Sequence, residues 1–414
     1  MNQLTLGKAI AALRKKRNLT QTALAEILDV SNKVIWKWEN GRCYPDISLI
    51  PRLANVLGVS LDNLFFGNRN GIAVVGNLHA DFTRYTDVTP RDNAMSNATL
   101  PTISIGGCVT HTTLNLAKID PTLLLHAFGC IGNDENGRLI LSTLQRSHIN
   151  TSGIIISDTN TGTNDIIINP DDTNFLLRTF GANELFDSGD INISNLPCRI
   201  IHFSRLALFP RYWDPDKEYG CKLARTLHSL QEAGIQISIS LMGTAIPSDE
   251  QLNSVLQYCD YVLMREYQLY EICHIPTTSH GHNNAALQKS CMQQIMNRGI
   301  QEKVFVFVND QEGFCLCKNG HFSSCSNTDG VSAADVAYPI FTEDDLCSGV
   351  LYGVYCDYTD NETIEFALTA AKAAHLVKAA PEDMPSKKKL QDIKPLPPRA
   401  GMPIRKPMCK SNLE

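Results

Sequence analysis

No apolar run in this chain is long and pure enough to span a membrane. The opening segment, MNQLTLGKAIAALRKKRN, lacks the apolar core of a secretion signal. Both absences predict a cytoplasmic protein with no membrane partner. Cys-x-x-Cys is also missing, although the chain carries 14 cysteines. In a reducing compartment such thiols read as buried core rather than disulfides. Cys315 and Cys317 lie two apart in VFVFVNDQEGFCLC, on one face of a predicted strand, which favours packing over metal binding. Cys273, His274, His280 and His282 are the other cluster tested as a zinc site, and they fall in a polar SHGHNN loop. No metal site is expected.

A chain of 414 residues predicts two domains, with room for a third, and an apolar fraction of 43% suits a globular protein. The net charge of −6 is unevenly spread. Residues 1–67 hold nine Lys/Arg and five Asp/Glu, a balance of +4, while the remainder carries −10. A small basic unit on a larger acidic body points to one nucleic-acid-binding end.

Within that basic unit, Leu6 to Lys16 reads as a helix ending in Arg14-Lys15-Lys16-Arg17, where the helix dipole favours cations. Asn18 and Leu19 break it. Thr20 is placed to cap a second helix, Gln21 to Leu28, and Ser31 a third, Asn32 to Asn40, stopped by Gly41. Two short helices joined by so tight a turn make a helix-turn-helix.

The stretch LTQTALAEILDVSNKVIWKWENGRCYPDISLIPRLANVLGVSLDNLF resembles the Cro/repressor-type (xenobiotic-response-element-like) helix-turn-helix domain along its length. The matching features are Gln21, Ala25, Val30-Ser31, Trp38-Glu39-Asn40-Gly41, Pro45 and the closing helix from Leu49 to Leu57. The resemblance implies that Gln21 and Asn40 hold the DNA backbone with Arg42 nearby, and that Arg14 and Glu39 form a buried ion pair. Val34 and Trp38 are expected inside. Ser31 opens the recognition helix, and Asn32, Lys33, Trp36 and Lys37 then face the major groove. One such unit covers half an operator, so a homodimer on double-stranded DNA, with half-sites about 34 Å apart or a multiple of that, is implied.

After the polar linker 68–71, strand-like segments alternate with helices up to residue 378. The strands are Leu123 to Gly129, Arg199 to Ser204, Ile235 to Leu241, Tyr261 to Met264 and Val304 to Val308. The helices are Cys108 to Lys118, Gly137 to Ser147, Lys222 to Ala233 and Leu346 to Tyr355. This is the βαβ pattern of a mostly parallel sheet flanked by helices, with a small β lid from Pro101 to Ile105 and Thr163 to Arg178. The fold class is therefore multidomain, an all-α unit followed by an α/β unit. Residues 379–414 are rich in Pro and Lys and read as a disordered tail.

The α/β region resembles the ribokinase-like (phosphofructokinase-B) family of sugar kinases. Asp81 in GNLHAD matches its sugar-hydroxyl ligand, and Gly106-Gly107 its double glycine. Residues 129–149, GCIGNDENGRLILSTLQRSHI, match its first signature, Thr161 opens the lid strand, and Gly181-Ala182-Asn183 matches a further substrate-side element. His111 stands where the family carries a substrate Asn. The resemblance thus implies a ligand site of Asp81, Gly106, Gly107, His111 and Asn183 for a sugar or nucleoside-like molecule.

The nucleotide half departs from the family. Asp344, in FTEDDLCSG, takes the catalytic Asp position, but the preceding Gly-Ala-Gly becomes Phe341-Thr342-Glu343. Side chains replace bare backbone, and Glu343 adds repulsion on the order of a few kcal/mol at about 4 Å. The Asn-x-x-Glu element aligns with Arg265 to Gln268, and Thr-x-Gly with Val308-Asn309-Asp310. Such losses are expected to abolish phosphoryl transfer, which depends on positioning and electrostatics. The reading is a transcriptional regulator whose degenerate kinase domain senses a small molecule and dimerises. An active kinase, with Asp344 as base and ATP and magnesium as cofactors, and a scaffold with an empty pocket are the alternatives.

Overall fold

The computed structural model describes residues 3–59, 61, 64, 70–89, 95–170, 174–193, 196–242, 246–275, 285–308, 312–326 and 342–375. The basic unit folds as α1 (Gln3–Lys16), α2 (Gln21–Leu28), α3 (Asn32–Glu39) and α4 (Ile50–Leu57) around Leu6, Ile10, Leu24, Leu28, Ile35, Trp38, Leu53 and Leu57. Thr20 caps α2 by accepting from the Ala23 amide at 3.0 Å, and Asn18 takes the left-handed φ of 55° that ends α1. Ile35 fills the position expected of Val34, which is half-buried. At Gly7, an added Cβ would lie 2.1 Å from the Trp38 carbonyl, so α1 and α3 cross there in backbone contact.

The α/β unit is built on a nine-stranded sheet. Its strands are β1 (Ile72–Val75), β4 (Leu125–Gly132), β5 (Asn150–Ser157), β8 (Ile200–Ser204), β11 (Gln236–Ser240), β12 (Tyr261–Arg265), β13 (Lys303–Val308), β14 (Glu312–Cys317) and β15 (Phe322–Ser326). The order is β15-β14-β13-β12-β11-β8-β1-β4-β5, parallel from β5 to β13 and antiparallel beyond. Both faces are covered, so the central strands read as unbroken apolar runs. Alternate residues face opposite layers: Ala73 and Val75 pack against α7 (Lys222–Glu232), α8 (Asp249–Leu256), α9 (Glu266–Ile272) and α10 (Ala285–Met296). Ile72 and Val74 pack against α5 (Cys108–Ile119), α6 (Glu135–Arg146), α11 (Thr342–Tyr355) and α12 (Asp360–His375). A two-residue ladder of β9 (Pro215–Asp216) and β10 (Gly220–Cys221) sits before α7.

The lid is a second sheet, ordered β3-β2-β6-β7, from β2 (His79–Tyr85), β3 (Thr102–Gly106), β6 (Gly162–Ile168) and β7 (Asn174–Thr179). Two polar brackets join it to the main sheet. Asp134 caps α6 through the Gly137 amide at 2.8 Å and accepts from the Thr161 hydroxyl at 2.6 Å and amide at 2.8 Å. The second bracket is Asn183, described with the pocket. The signature in residues 129–149 is therefore a fastener between sheet and lid as well as a turn.

His202 is buried on β8 with Nδ1 2.9 Å from Ser238 Oγ of β11, and burial pushes its pKa down from 6.5 to about 3. The folded chain keeps it neutral, while the unfolded chain takes up a proton below pH 6.5. Stability from this group is thus present at neutral pH and declines as pH falls. The stability difference between the wild type and His202→Asn should shrink by about 1.4 kcal/mol per pH unit below 6.5. Urea titrations at several pH values read it, and a pH-independent difference would refute it.

Candidate DNA interface and ligand pocket

Arg14 donates from Nε to Glu39 Oε1 at 2.6 Å, from Nη2 to Oε2 at 3.1 Å and from Nη1 to the Leu19 carbonyl at 2.6 Å. This places the expected pair in the core of the unit. Gln21 joins the pair, its Nε2 donating to Glu39 Oε2 at 2.6 Å. Its nitrogen thus braces the ion pair in this structure instead of facing outward to phosphate. Asn40 stays exposed at the end of α3, its Nδ2 donating to the Trp36 carbonyl at 2.8 Å. Arg17 caps α4 through the Leu57 carbonyl at 3.1 Å, and Arg52 reaches the Ile27 carbonyl at 2.6 Å.

The outward face of α3 is as the sequence places it. Ser31 makes no capping bond, and Ser31, Asn32, Lys33, Trp36, Lys37 and Arg42 are exposed. Trp36 exposes 48% of its surface, a large apolar area for a helix that packs its other face. Lys33 and Lys37 lie one turn apart, flanking it. Glu39→Ala would leave the Arg14 guanidinium buried without its carboxylate, at a cost of about 3 kcal/mol. A lowered urea midpoint of the helical unit should follow, and an unchanged midpoint would show the pair to be dispensable.

The pocket lies where β1, β8 and β11 end at their carboxyl edges. The turn after β1 is held by Asn77, whose Oδ1 accepts from the Cys108 amide at 3.3 Å and whose Nδ2 lies 2.8 Å from His79 Nδ1. β2 then carries Asp81 inward, 2% exposed, where it accepts from Asn164 of β6 at 2.7 Å. The double glycine has a steric reason at each position. A Cβ on Gly106 would meet the Asp81 carboxylate at 2.1 Å, and Gly107, with φ 92°, would meet the Asn77 carbonyl at 2.3 Å. Burial raises the Asp81 pKa against the lowering pull of His111, Asn164 and Arg178. His111 sits in the first turn of α5, and burial holds its pKa down at about 4. His79, also buried, is held at about 3 by burial and by Arg178 and Arg205.

Asn183 proves to be a clamp. Its Oδ1 accepts from the Leu78 amide at 2.9 Å, and Nδ2 donates to the Leu78 and Phe180 carbonyls, each at 2.9 Å. Both amide hydrogens are therefore taken up by backbone, so Asn183 shapes the pocket without offering a donor to a ligand.

On the other side, α11 begins with Glu343, Asp344 and Asp345 in its first turn. The three acids part company. Asp345 accepts from Asn115 of α5 at 2.7 Å. Glu343 and Asp344 both face Arg205, with Nη2 3.6 Å from a carboxylate oxygen of each. Arg205 follows β8 with a left-handed φ of 53°, costly for a non-glycine residue, and its side chain is 12% exposed. Burial raises the Asp344 pKa, and the Arg205 guanidinium opposes that rise. Burial penalises the Arg205 charge, but the groups around it, Asp344 foremost with Cys108 and Glu343, together raise the guanidinium pKa. Arg178, on the inner face of the lid, donates from Nε to Asn164 Oδ1 at 3.3 Å.

Neither arginine was singled out in the sequence. Arg205 had a positional signal, a charged residue directly after the buried run IIHFS at the carboxyl end of a parallel strand. Arg178 had only the alternation of FLLR.

Gln268 is buried and caps α9, accepting from the Arg265 amide at 3.1 Å and donating to the Leu241 carbonyl. Arg265 is 9% exposed. Thr342 opens α11, while Asp310 and Phe341 lie outside the described residues. Magnesium and ATP do not fit the described part of the nucleotide side. A carboxamide held by backbone and an arginine stand in for the expected carboxylate and amide, and Glu343 repels phosphate at the helix start. Of the cysteine–histidine cluster, His274 pairs with Asp249 at 3.3 Å and Cys273 Sγ faces the Cys291 carbonyl. His280 and His282 lie outside the described residues.

A parallel sheet with a four-stranded lid over its carboxyl edge is the architecture of a sugar-kinase-type protein. The pfkB family of carbohydrate kinases matches residues 69–387, and the chain belongs to that family. A helix-turn-helix family matches residues 10–64. Among solved structures, the chain resembles Arabidopsis thaliana ribokinase complexed with ribose and ATP, at 18% identity and a TM-score of 0.64 over 78% of this chain and 98% of that one. Ribokinase from Thermotoga maritima gives 17% and 0.63, over 78% and 98%. Methanocaldococcus jannaschii nucleoside kinase gives 14% and 0.61, over 78% and 97%. At these identities the likeness establishes fold. The N-terminal unit is 36% identical over 64 residues to the HTH-type transcriptional activator BcrR of Enterococcus faecalis, covering 16% of this chain and 31% of that protein. It is 31% identical over 61 residues to the uncharacterized HTH-type regulator YonR from the SPbeta prophage of Bacillus subtilis, covering 15% of this chain and 56% of that protein. The chain thus spans about a third and about half of these two relatives. It fuses a helix-turn-helix unit to a ribokinase-like domain. Among the described residues, no helix is long and apolar enough to cross a membrane.

Proposed function

We propose that the protein is a sequence-specific DNA-binding transcriptional regulator, and that its kinase-like domain binds a sugar or nucleoside-like molecule, dimerises and transfers no phosphate. The observation that carries this reading is the position of Arg205. A general base must be free to accept the sugar proton, and transferred phosphate needs backbone N–H groups at the helix start. Here a guanidinium faces Asp344, and Glu343 stands beside it at 3.6 Å from the same nitrogen.

The lid side of the pocket still suits a polyol. Asp81 and His111 face one another from lid and helix, and Gly106 and Gly107 let the backbone lie close against the Asp81 carboxylate and the Asn77 carbonyl. Ligand hydroxyls bridging Asp81 to α5 would favour the closed lid. Across the lid, Ile103, Phe82, Asp165 and Leu177 lie in one row on the outer face, with Arg84, Ile167 and Phe175 in the next. Ile103, Phe175 and Leu177 are exposed. A largely apolar sheet face, crossed by one acid and one base that a two-fold partner could pair, suits a second copy of the chain. Lid closure would then alter dimer geometry, and the ligand's differential affinity for the two geometries would set operator occupancy. Retention of Asp344 at the pocket favours the competing reading, an active kinase.

The two are separated by Asp344→Asn. A regulator with this substitution should keep its ligand-dependent DNA binding, while a kinase should lose turnover. Thermal unfolding with magnesium–ATP should show no shift. A nucleotide at 100 times its Kd adds about 2.7 kcal/mol, and a shift of that size would overturn the reading. On DNA recovered by in vitro selection, Lys33→Ala and Lys37→Ala should weaken binding to all sequences alike and lower the salt slope by about one each. Asn32→Ala should relax preference at one base pair, by about 1–3 kcal/mol. Selection that recovers no consensus would remove the regulator reading.

Leu177→Glu should convert the dimer to monomer in light scattering and weaken operator binding with it. A monomeric wild type, or a dimer indifferent to this charge, would exclude the lid as the interface.

A further inference from the structure

The antiparallel end of the main sheet carries a second cluster of reactive side chains that the pocket does not use. Alternation along β14 places Cys315 and Cys317 on one face, fully buried and half-buried respectively. Asp360, the first residue of α12, reaches that face from 43 positions further along the chain. One ligand atom from each of the three lies within 4.8 Å of the others. The hairpin from β14 to β15 turns on Gly320, at φ 83°, with the Cys317 amide donating to the His321 carbonyl at 2.9 Å. It returns His321 beside Cys317, so that His321 Nδ1 and Cys317 Sγ each lie 3.1 Å from Asp360 Oδ2.

We propose that Cys315, Cys317 and Asp360, with His321 closing the set, bind one divalent transition-metal ion of the zinc class. Zinc takes thiolate sulfur at about 2.3 Å and imidazole nitrogen or carboxylate oxygen at about 2.0–2.2 Å, so tetrahedral ligand atoms stand roughly 3.3–3.8 Å apart. The Cys317–Asp360 and His321–Asp360 separations of 3.1 Å lie just below that spacing, Cys315 Sγ is within 4.8 Å of the Cys317 and Asp360 ligand atoms, and His321 would swing toward the sulfurs to complete the set. Two sulfurs, one nitrogen and one oxygen form a donor set that zinc prefers over magnesium or calcium. Two thiolates, a carboxylate and a divalent ion leave one negative charge, and Lys303 supplies its counterpart. The Lys303 ammonium lies 2.6 Å from Asp360 Oδ1, the oxygen turned away from the thiol, so it orients the carboxylate without occupying the ligand position. The exposed His321 ring, 63% accessible, gives the ion a way in. A bound ion would fasten the β14–β15 edge to α12.

The full chain, purified with a reductant and stripped by a chelator, is titrated with Co2+ as an optical probe and then with Zn2+. One Co2+ per chain is expected, with thiolate-to-cobalt charge transfer and the strong visible bands of a tetrahedral site, both lost on adding Zn2+. Cys315→Ser disturbs the core, so the tests use Cys317→Ser and His321→Ala, whose folding is checked by circular dichroism. Each should weaken cobalt binding by about tenfold or more, and Cys317→Ser should also diminish the charge-transfer band. Cys43→Ser, a half-buried thiol of the helical unit, should change neither. A colourless titration, or a spectrum unaltered in Cys317→Ser, would overturn the site in favour of thiol–carboxylate hydrogen bonds. A Cys315–Cys317 disulfide recovered under reductant, with no cobalt bound, would overturn it equally.

Discussion

A guanidinium enclosed by protein must find carboxylates, and around Arg205 much of the pocket is arranged to supply them. Desolvation disfavours its charge, while the groups packed around it, Asp344 foremost, raise its pKa on balance, so the arginine stays charged. The same contact answers what the acid triplet at the start of α11 does. These residues are not solvated caps favoured by the helix dipole alone. Glu343 and Asp344 face an internal cation, and Asp345 holds α5 through Asn115. A negative helix start, paired in this way, presents carboxylates where family members need bare amides.

The lid depends on different physics. Polar atoms buried at a junction must be matched, since an unmatched one costs about 1–3 kcal/mol. Asp134 and Asn183 meet that demand by bonding backbone groups on both sides of the sheet–lid boundary. The lid is thereby hinged at fixed points, with Asp81 and Arg178 carried on its inner face. A shift of the lid would carry those two side chains relative to His111 and Arg205, which stay with the main sheet.

In the helix-turn-helix unit the basic residues divide by task. Arg14, Arg17 and Arg52 bond carboxylate or backbone within the unit, and Lys33, Lys37 and Arg42 stay outside. The planar guanidinium suits several fixed acceptors at once, whereas the lysine ammonium on a flexible stem suits a phosphate or a base edge. The net positive charge of the unit therefore overstates the part available to DNA.

Sequence periodicity was sufficient for the architecture. The cap at Thr20, the βαβ alternation and the glycine pair 106–107 are local signals, because helix ends, strand burial and close backbone approach constrain residue type directly. The exposed side of α3 was legible for the same reason, since helical spacing decides which residues share a face. The sequence could not place Arg205 against Asp344, which lies 139 residues away by number, or turn Gln21 and Asn183 inward to partners across the fold. Nor could it join Cys317 to Asp360. Each of those pairings is non-local and is chosen by which polar atoms are left unmatched once the layers pack. That choice belongs to the tertiary structure, where desolvation makes an unpaired charge or amide costly and so selects its partner.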